Sequence, residues 1–152
     1  MSAKPDLLPN SRLYEQDYAA WATETGRLIR EGRFAGIDRE FLADEIESMA
    51  RSDKHQLENR REVLIRQLLK WQKHPEKRSR SWRLTMLHQR NRIERLCRQS
   101  PSLRRLVPRI IAEVYAEAVE AAGLETRLPA GAFPKQCPFS AAEILDFEFF
   151  PD

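Results

Sequence analysis

From Asp38 to Lys73 the chain contains no glycine and no proline. Along that run Leu42, Ile46, Met49, Asp53, Leu57, Arg60, Leu64, Leu68 and Trp71 recur at steps of three and four. The steps build an eleven-residue repeat whose period of about 3.67 nearly matches the α-helix, so one almost straight helix keeps the stripe on one side. At about 1.5 Å per residue such a helix reaches roughly 54 Å, far beyond neighbours of about 30 Å. It must either protrude or break. The uninterrupted run favours continuity, whereas Asp53 and Arg60 are charged members of an apolar stripe, and Ser52-Asp53 is the restart point if the helix divides.

The flanking segments are also helical, and no strand pattern or internal repeat accompanies them. Tyr14, Tyr18, Trp21, Thr25 and Leu28 form a stripe on a helix predicted from Ser11 to about Glu31, closed by Gly32. Arg33 to Ile37 connects it to Asp38, an N-cap with Glu40 in the first turn. His74-Pro75 ends the long helix, because the residue before proline is pushed out of helical geometry. A third helix starts near Ser79 or Ser81 and puts Trp82, Met86, Gln89, Ile93, Leu96 and Cys97 on one face, with Arg80, Arg95 and Arg98 opposite.

Ser100-Pro101 reads as an N-cap with proline at the first helical position. The fourth helix carries Leu103, Leu106, Val107, Ile110, Ile111, Val114 and Tyr115, with Gly123 as its expected stop. Pro108 predicts either a kink or a short turn before the main helix. Arg127 to Asp152 holds four of the nine prolines, a capping box at Ser140–Glu143, and Phe133, Phe139, Phe147, Phe149 and Phe150. So many aromatic rings call for an ordered strap with one short helix. The expected organisation is a flexible leader over 1–10, an all-α antiparallel bundle of four main helices over 11–126, and a strap over 127–152 on the same domain.

At 152 residues with 41% hydrophobic and 32% charged side chains, the chain is large enough to bury a core without a disulfide or metal staple. Its apolar stretches fall far short of the ~20 residues that span a bilayer, and Met1 to Asp6 has no apolar signal core. No membrane association and a cytoplasmic location are expected. Cys97 and Cys137 have no paired spacing, so both are expected as free thiols.

The net charge of +3 hides a strong asymmetry. Residues 1–59 carry 8 basic and 12 acidic side chains, residues 60–109 carry 16 and 3, and residues 110–152 carry 2 and 8. A basic middle between acidic ends either offers a patch to an anionic partner or meets the acidic ends inside one fold.

Several strings, taken in order, resemble the bacterial helical family catalogued as domain of unknown function number 29. They are Leu13-Tyr14-Glu15-Gln16-Asp17-Tyr18 with Trp21, Gly32-Arg33-Phe34, Leu42-Ala43-Asp44-Glu45-Ile46-Glu47 and Leu68-Leu69-Lys70-Trp71-Gln72. Arg78-Ser79-Arg80-Ser81-Trp82-Arg83, Ser100-Pro101-Ser102-Leu103 and Phe133-Pro134 with Cys137-Pro138 continue the series. Together they cover about Leu13 to Phe150. Where the family pattern leads to a histidine before Leu68, this chain has Gln67. The resemblance implies a small bacterial helical protein and supplies no catalytic residues.

Chemistry-bearing patterns are sparse. Asp44, Glu45, Glu47 and Asp53 lack the Glu-x-x-His partners of helical di-metal sites, and His55, His74 and His88 stand alone, so no metal or other cofactor is expected. No glycine-rich phosphate loop occurs. Arg83 and His88 resemble the Arg-x4-His string of helical HEPN-type ribonucleases, in which histidine and arginine act on an RNA phosphate. That leaves an RNase as a distant third function.

The expected function is a protein–protein interaction module, with nucleic-acid binding as the alternative. For the latter, the candidate residues are Lys70, Lys73, Lys77, Arg78, Arg80, Arg83, Arg95 and Arg98, since phosphate contacts need cations and the segment also holds Trp71 and Trp82. Both tryptophans also fall on apolar stripes, which predicts that they close the end of the bundle. If the long helix is continuous, Tyr14, Tyr18, Trp21, Ile46 and Met49 exceed what a two-helix hairpin can cover, and a homodimer is expected to bury them.

Overall fold

Asp17 splits the first predicted helix in two. In the computed structural model, which describes residues 9–152, α1 spans Pro9–Gln16 and α2 spans Tyr18–Arg30. Asp17 lies between them with extended backbone, and its carboxylate accepts from the Ala20 amide as an N-cap. Residues 1–8 of the expected leader lie outside the described residues. Pro9 and Asn10 belong to α1, and the Asn10 side chain is buried.

Gly32 closes α2 as the sequence requires. Its φ is +68°, its amide donates to the Ile29 carbonyl, and the Arg33 amide donates to Leu28. This paired C-terminal bonding suits glycine, which meets no Cβ penalty in the left-handed region. A 3-10 turn at Phe34–Gly36 leads to Asp38, whose carboxylate caps the Phe41 amide at 3.0 Å.

The long helix is continuous. α3 spans Arg39–Lys73 with no restart at Ser52-Asp53. A 3-10 turn at Pro75–Lys77 leads to α4, Arg80–Gln99, capped by the Ser79 hydroxyl. Pro101–Leu106 forms a third 3-10 segment, and α5 runs Val107–Thr126. Pro108 therefore sits in the first turn of α5, where its missing N–H costs nothing, and the kink is replaced by a turn before the helix. Gly123 does not stop α5, which continues to Arg127 at φ +60°. Glycine is used there for space: a Cβ would come 3.2 Å from the Leu128 carbonyl oxygen of the returning strap. A 3-10 turn at Ala130–Ala132 and α6, Ala141–Leu145, complete an all-α chain with no strand among the described residues.

The chain divides into two compact units, one ending at Arg51 and the other spanning Ser52–Asp152. In the first, Trp21 is 3% exposed and its indole donates to Asn10 Oδ1 at 3.0 Å. Tyr14 meets Tyr18, Trp21 and Phe41 edge-on at 4.7 to 5.2 Å between ring centroids. Such pairs add about 0.5–1.5 kcal/mol each beyond the buried area.

The core of the second unit draws on three long helices. Leu57, Leu64, Leu68 and Trp71 of α3 pack with Met86, Ile93 and Cys97 of α4 and with Ile110, Val114 and Ala118 of α5. Phe133, Phe139 and Ile144 of the strap join them. The capping box at Ser140 is complete, with the hydroxyl accepting from the Glu143 amide and the Glu143 carboxylate accepting from the Ser140 amide.

Candidate nucleic-acid interface

Two of the predicted phosphate-binding cations are used inside the fold. Lys70 is 8% exposed, pairs with Glu125 at 2.7 Å and lies 4.6 Å above the Trp82 ring. Arg78 donates through Nε to the Trp71 carbonyl and through Nη2 to the Pro151 carbonyl, with its guanidinium 5.0 Å from the Trp71 ring. Both fasten the α3–α4 turn to α5 and the strap. Trp71 is itself buried against Phe150 at 5.2 Å, so the tryptophans close this end of the unit as their stripe positions require.

The others reach the surface. Lys73 and Lys77 are exposed near the turn. Arg80 and Arg83 border a cavity of about 390 Å³ with Leu84, Leu87 and Phe147, and the Arg83 guanidinium stacks 4.7 Å from Phe150. Behind it lies Arg90, 1% exposed, which donates to the Ile144 carbonyl at 2.9 Å and the Phe149 carbonyl at 2.8 Å. Arg90 thereby carries the strap, a role invisible in sequence because its acceptors are backbone carbonyls from a distant segment. Arg98 is exposed, 3.8 Å from Glu94.

Arg95 turns into a second cavity of about 390 Å³ between α3 and α4, lined by Gln56, Arg60, Arg92, Arg95, Leu96 and Gln99. Burial, and then the neighbouring Arg92 charge, lower the Arg60 pKa. Gln56, Arg60, Arg92 and Gln99 were not among the candidates. The signal that could have found them was Arg60, a cation on a stripe flanked by Leu57, Leu64 and Leu68.

One residue further round each helix, Arg61 is fully buried, and no described residue offers its Nε, Nη1 or Nη2 a hydrogen bond. Burial lowers its pKa to about 10, opposed by the nearby Cys97 thiol. Cys97, 2% exposed and free, has its own pKa raised by burial, and Cys137 is a free, half-buried thiol.

Five positions along an α-helix separate Arg83 and His88 by about 140°, and Arg83 stacks on Phe150. His74 is held between Glu76 at 2.7 Å and the Thr126 carbonyl at 3.3 Å, and His55 pairs with Glu58. Among the described residues no cluster of His, Cys, Asp and Glu could hold a metal ion. Glu45 instead accepts from the hydroxyls of both Tyr14 and Tyr18 at 3.1 Å, which raises both phenol pKa values. Of the five residues expected at a dimer interface, Tyr14 is half-buried and Trp21 buried within their own unit, while Tyr18, Ile46 and Met49 are 48%, 56% and 57% exposed.

Fold and surface together define an all-helical protein with several arginines exposed along α4. No helix among the described residues is long and apolar enough to cross a membrane. The family described as domain of unknown function DUF29 matches residues 13–150, and the chain belongs to it. No curated protein and no solved structure matches it.

Proposed function

We propose that the protein is a helical interaction module for an anionic partner, and that the partner class is nucleic acid. One observation carries this. Within the second unit the acidic C-terminal segment neutralises little of the basic middle: Glu125 holds Arg66 and Lys70, and Glu113 holds Arg109. Among the described residues no carboxylate comes within ion-pair distance of Arg80, Arg83, Arg92 or Arg95, in contrast to Arg98 and Arg104, which share Glu94. Arginines outside ion-pair distance of any carboxylate on one helix, with Glu148 the one acid bordering the Arg80 and Arg83 cavity, suit a phosphate backbone, whose neutralisation releases condensed counterions. The half-exposed Phe147 beside Arg80 and Arg83 supplies an aromatic edge on the same surface.

The test is fluorescence anisotropy with single-stranded RNA and DNA between about 50 and 200 mM salt. Contact with about four phosphates gives a slope of log K against log salt near −3. Combined Arg80→Glu, Arg95→Glu and Arg98→Glu abolishes binding with the helical content unchanged. Absence of binding at the lowest salt, or full affinity in the triple variant, refutes the proposal.

A second reading, pairing with another copy of the chain, is favoured by the exposure of Tyr18, Ile46 and Met49. Apolar side chains of this size left in water cost more than 1 kcal/mol each relative to burial. A two-fold contact covers each with its copy.

A further inference from the structure

We infer that the groove between α3 and α4, formed by Gln56, Arg60, Arg92, Arg95 and Gln99, is a discrete site for a phosphate monoester. The site deepens the polyanion reading and rests on it only for the positive field of the surrounding face.

Its chemistry follows from what lines it and what does not. Three guanidinium groups and two carboxamides border a cavity of about 390 Å³. That volume is within the range of small-ligand sites. No carboxylate lines it, and Leu96 is its one apolar wall. Arg92 is near enough to disfavour the charge on Arg60, and half-buried Arg60 gains only a 3.5 Å contact with Gln89 Oε1 in return. Like charges held together without a counter-ion are costly, and a bound dianion reverses the sign of that interaction. Guanidinium forks match phosphate oxygens in pairs, and the carboxamides of Gln56 and Gln99 can donate to the remaining ones.

The absence of any aromatic ring from the lining points away from a nucleobase and toward the phosphate itself with a polar remainder. Two sources share that chemistry: the 5′-terminal phosphate of a nucleic-acid strand and a small phosphorylated metabolite.

The experiment uses the full chain and inorganic phosphate as the probe. In thermal unfolding, about 10 mM phosphate raises Tm by at least about 3 °C over sodium chloride of matched ionic strength. Arg92→Gln and Arg60→Gln each cut that rise to less than a third, while Arg80→Gln retains it. Arg92 is exposed, so its variant keeps the fold, and circular dichroism verifies this. An equal rise in chloride, or an undiminished rise in both groove variants, overturns the site.

Oligonucleotides carrying a 5′-phosphate or a 5′-hydroxyl then separate the sources. A tenfold preference for the phosphorylated strand, lost in Arg92→Gln, assigns the site to strand ends. Equal binding of the two strands, with the phosphate-induced rise intact, assigns it to a small phosphorylated molecule. Loss of the phosphate effect with normal binding of the 5′-hydroxyl strand refutes the groove alone. The converse result refutes the polyanion reading alone.

Discussion

Replacing Arg61 with methionine is expected to stabilise the protein. Arg61 is fully buried, and none of its guanidinium nitrogens has a hydrogen-bond partner among the described residues. Burial is the main cause that lowers its pKa to about 10, well below the ordinary guanidinium value. At about 1.4 kcal/mol per pKa unit, holding the charged form at neutral pH costs about 3 kcal/mol. Methionine fills much of the arginine stem's volume with an adaptable side chain, and the smaller occupant gives back about 1 kcal/mol in lost packing. The net gain is about 2 kcal/mol, in keeping with the general finding that apolar replacements of buried charges are often stabilising.

For a chain of this length that gain appears as a Tm higher by about 4–8 °C, read by calorimetry or by urea unfolding at pH 7. Arg61→Lys, which retains a more strongly hydrated charge, lowers Tm instead. The sign with pH follows from a depressed cation pKa. The penalty is complete below pH 10 and fades above it as the folded state gives up the proton that the unfolded state still holds, so the advantage of methionine shrinks in that range. A Tm for Arg61→Met below that of the parent protein at pH 7 would refute the reasoning. It would mean that the guanidinium is satisfied within the fold.

Tyr115 provides the opposite alkaline signature: burial raises its phenol to about 12, with the hydroxyl donating to the Pro134 carbonyl at 2.6 Å. Its protonated form stabilises the fold in full below pH 10, and this is lost as pH rises towards 12. The stability gap to Tyr115→Phe, about 1 kcal/mol at neutral pH, therefore narrows across that window, and a constant gap through pH 12 would contradict it. Cys97, 2% exposed, should react with a polar disulfide reagent only through opening of the fold, long after half-buried Cys137, and equal labelling rates would argue against that burial. Light scattering at micromolar concentration should give a dimer mass that Ile46→Asp with Met49→Asp reduces to the monomer; a monomer in the parent chain would dispose of the pairing.

Much of the helical layout is decided locally. Gly32 ends α2, Ser79 and Ser140 cap α4 and α6, and Pro108 stands in the first turn of α5. Each acts within about one helical turn, where the only partners are neighbouring amides and carbonyls, so residue type and spacing suffice. Continuity of α3 was favoured for the same reason, since nothing between Arg39 and Lys73 removes an amide or favours a left-handed turn, but Asp53 and Arg60 on the stripe left a break at Ser52-Asp53 open. The apolar stripe also identified Leu57, Leu64, Leu68 and Trp71 as buried, while the exposure of Ile46 and Met49 on the same stripe followed from helix length and not from the stripe itself. Periodicity gives an angle around one helix and is silent on whether another segment covers it.

The division at Asp17 depended on more than its local capping ability. α1 turns so that Asn10 can receive the Trp21 indole and Tyr14 can meet Phe41, contacts that no local pattern encodes. The same limit governs the candidate site. Sequence placed the cations in one segment, but the fold assigned Lys70 to Glu125, Arg78 and Arg90 to backbone carbonyls, Arg61 to the core, and Arg60, Arg92 and Arg95 to one groove. Arg60 and Arg92 are on different helices and become neighbours only when α3 and α4 pack. A long cationic side chain reads the same in sequence whether it ends in water, on a carbonyl or beside another charge. That outcome is an electrostatic property of the packed helices, and the tertiary structure alone determines it.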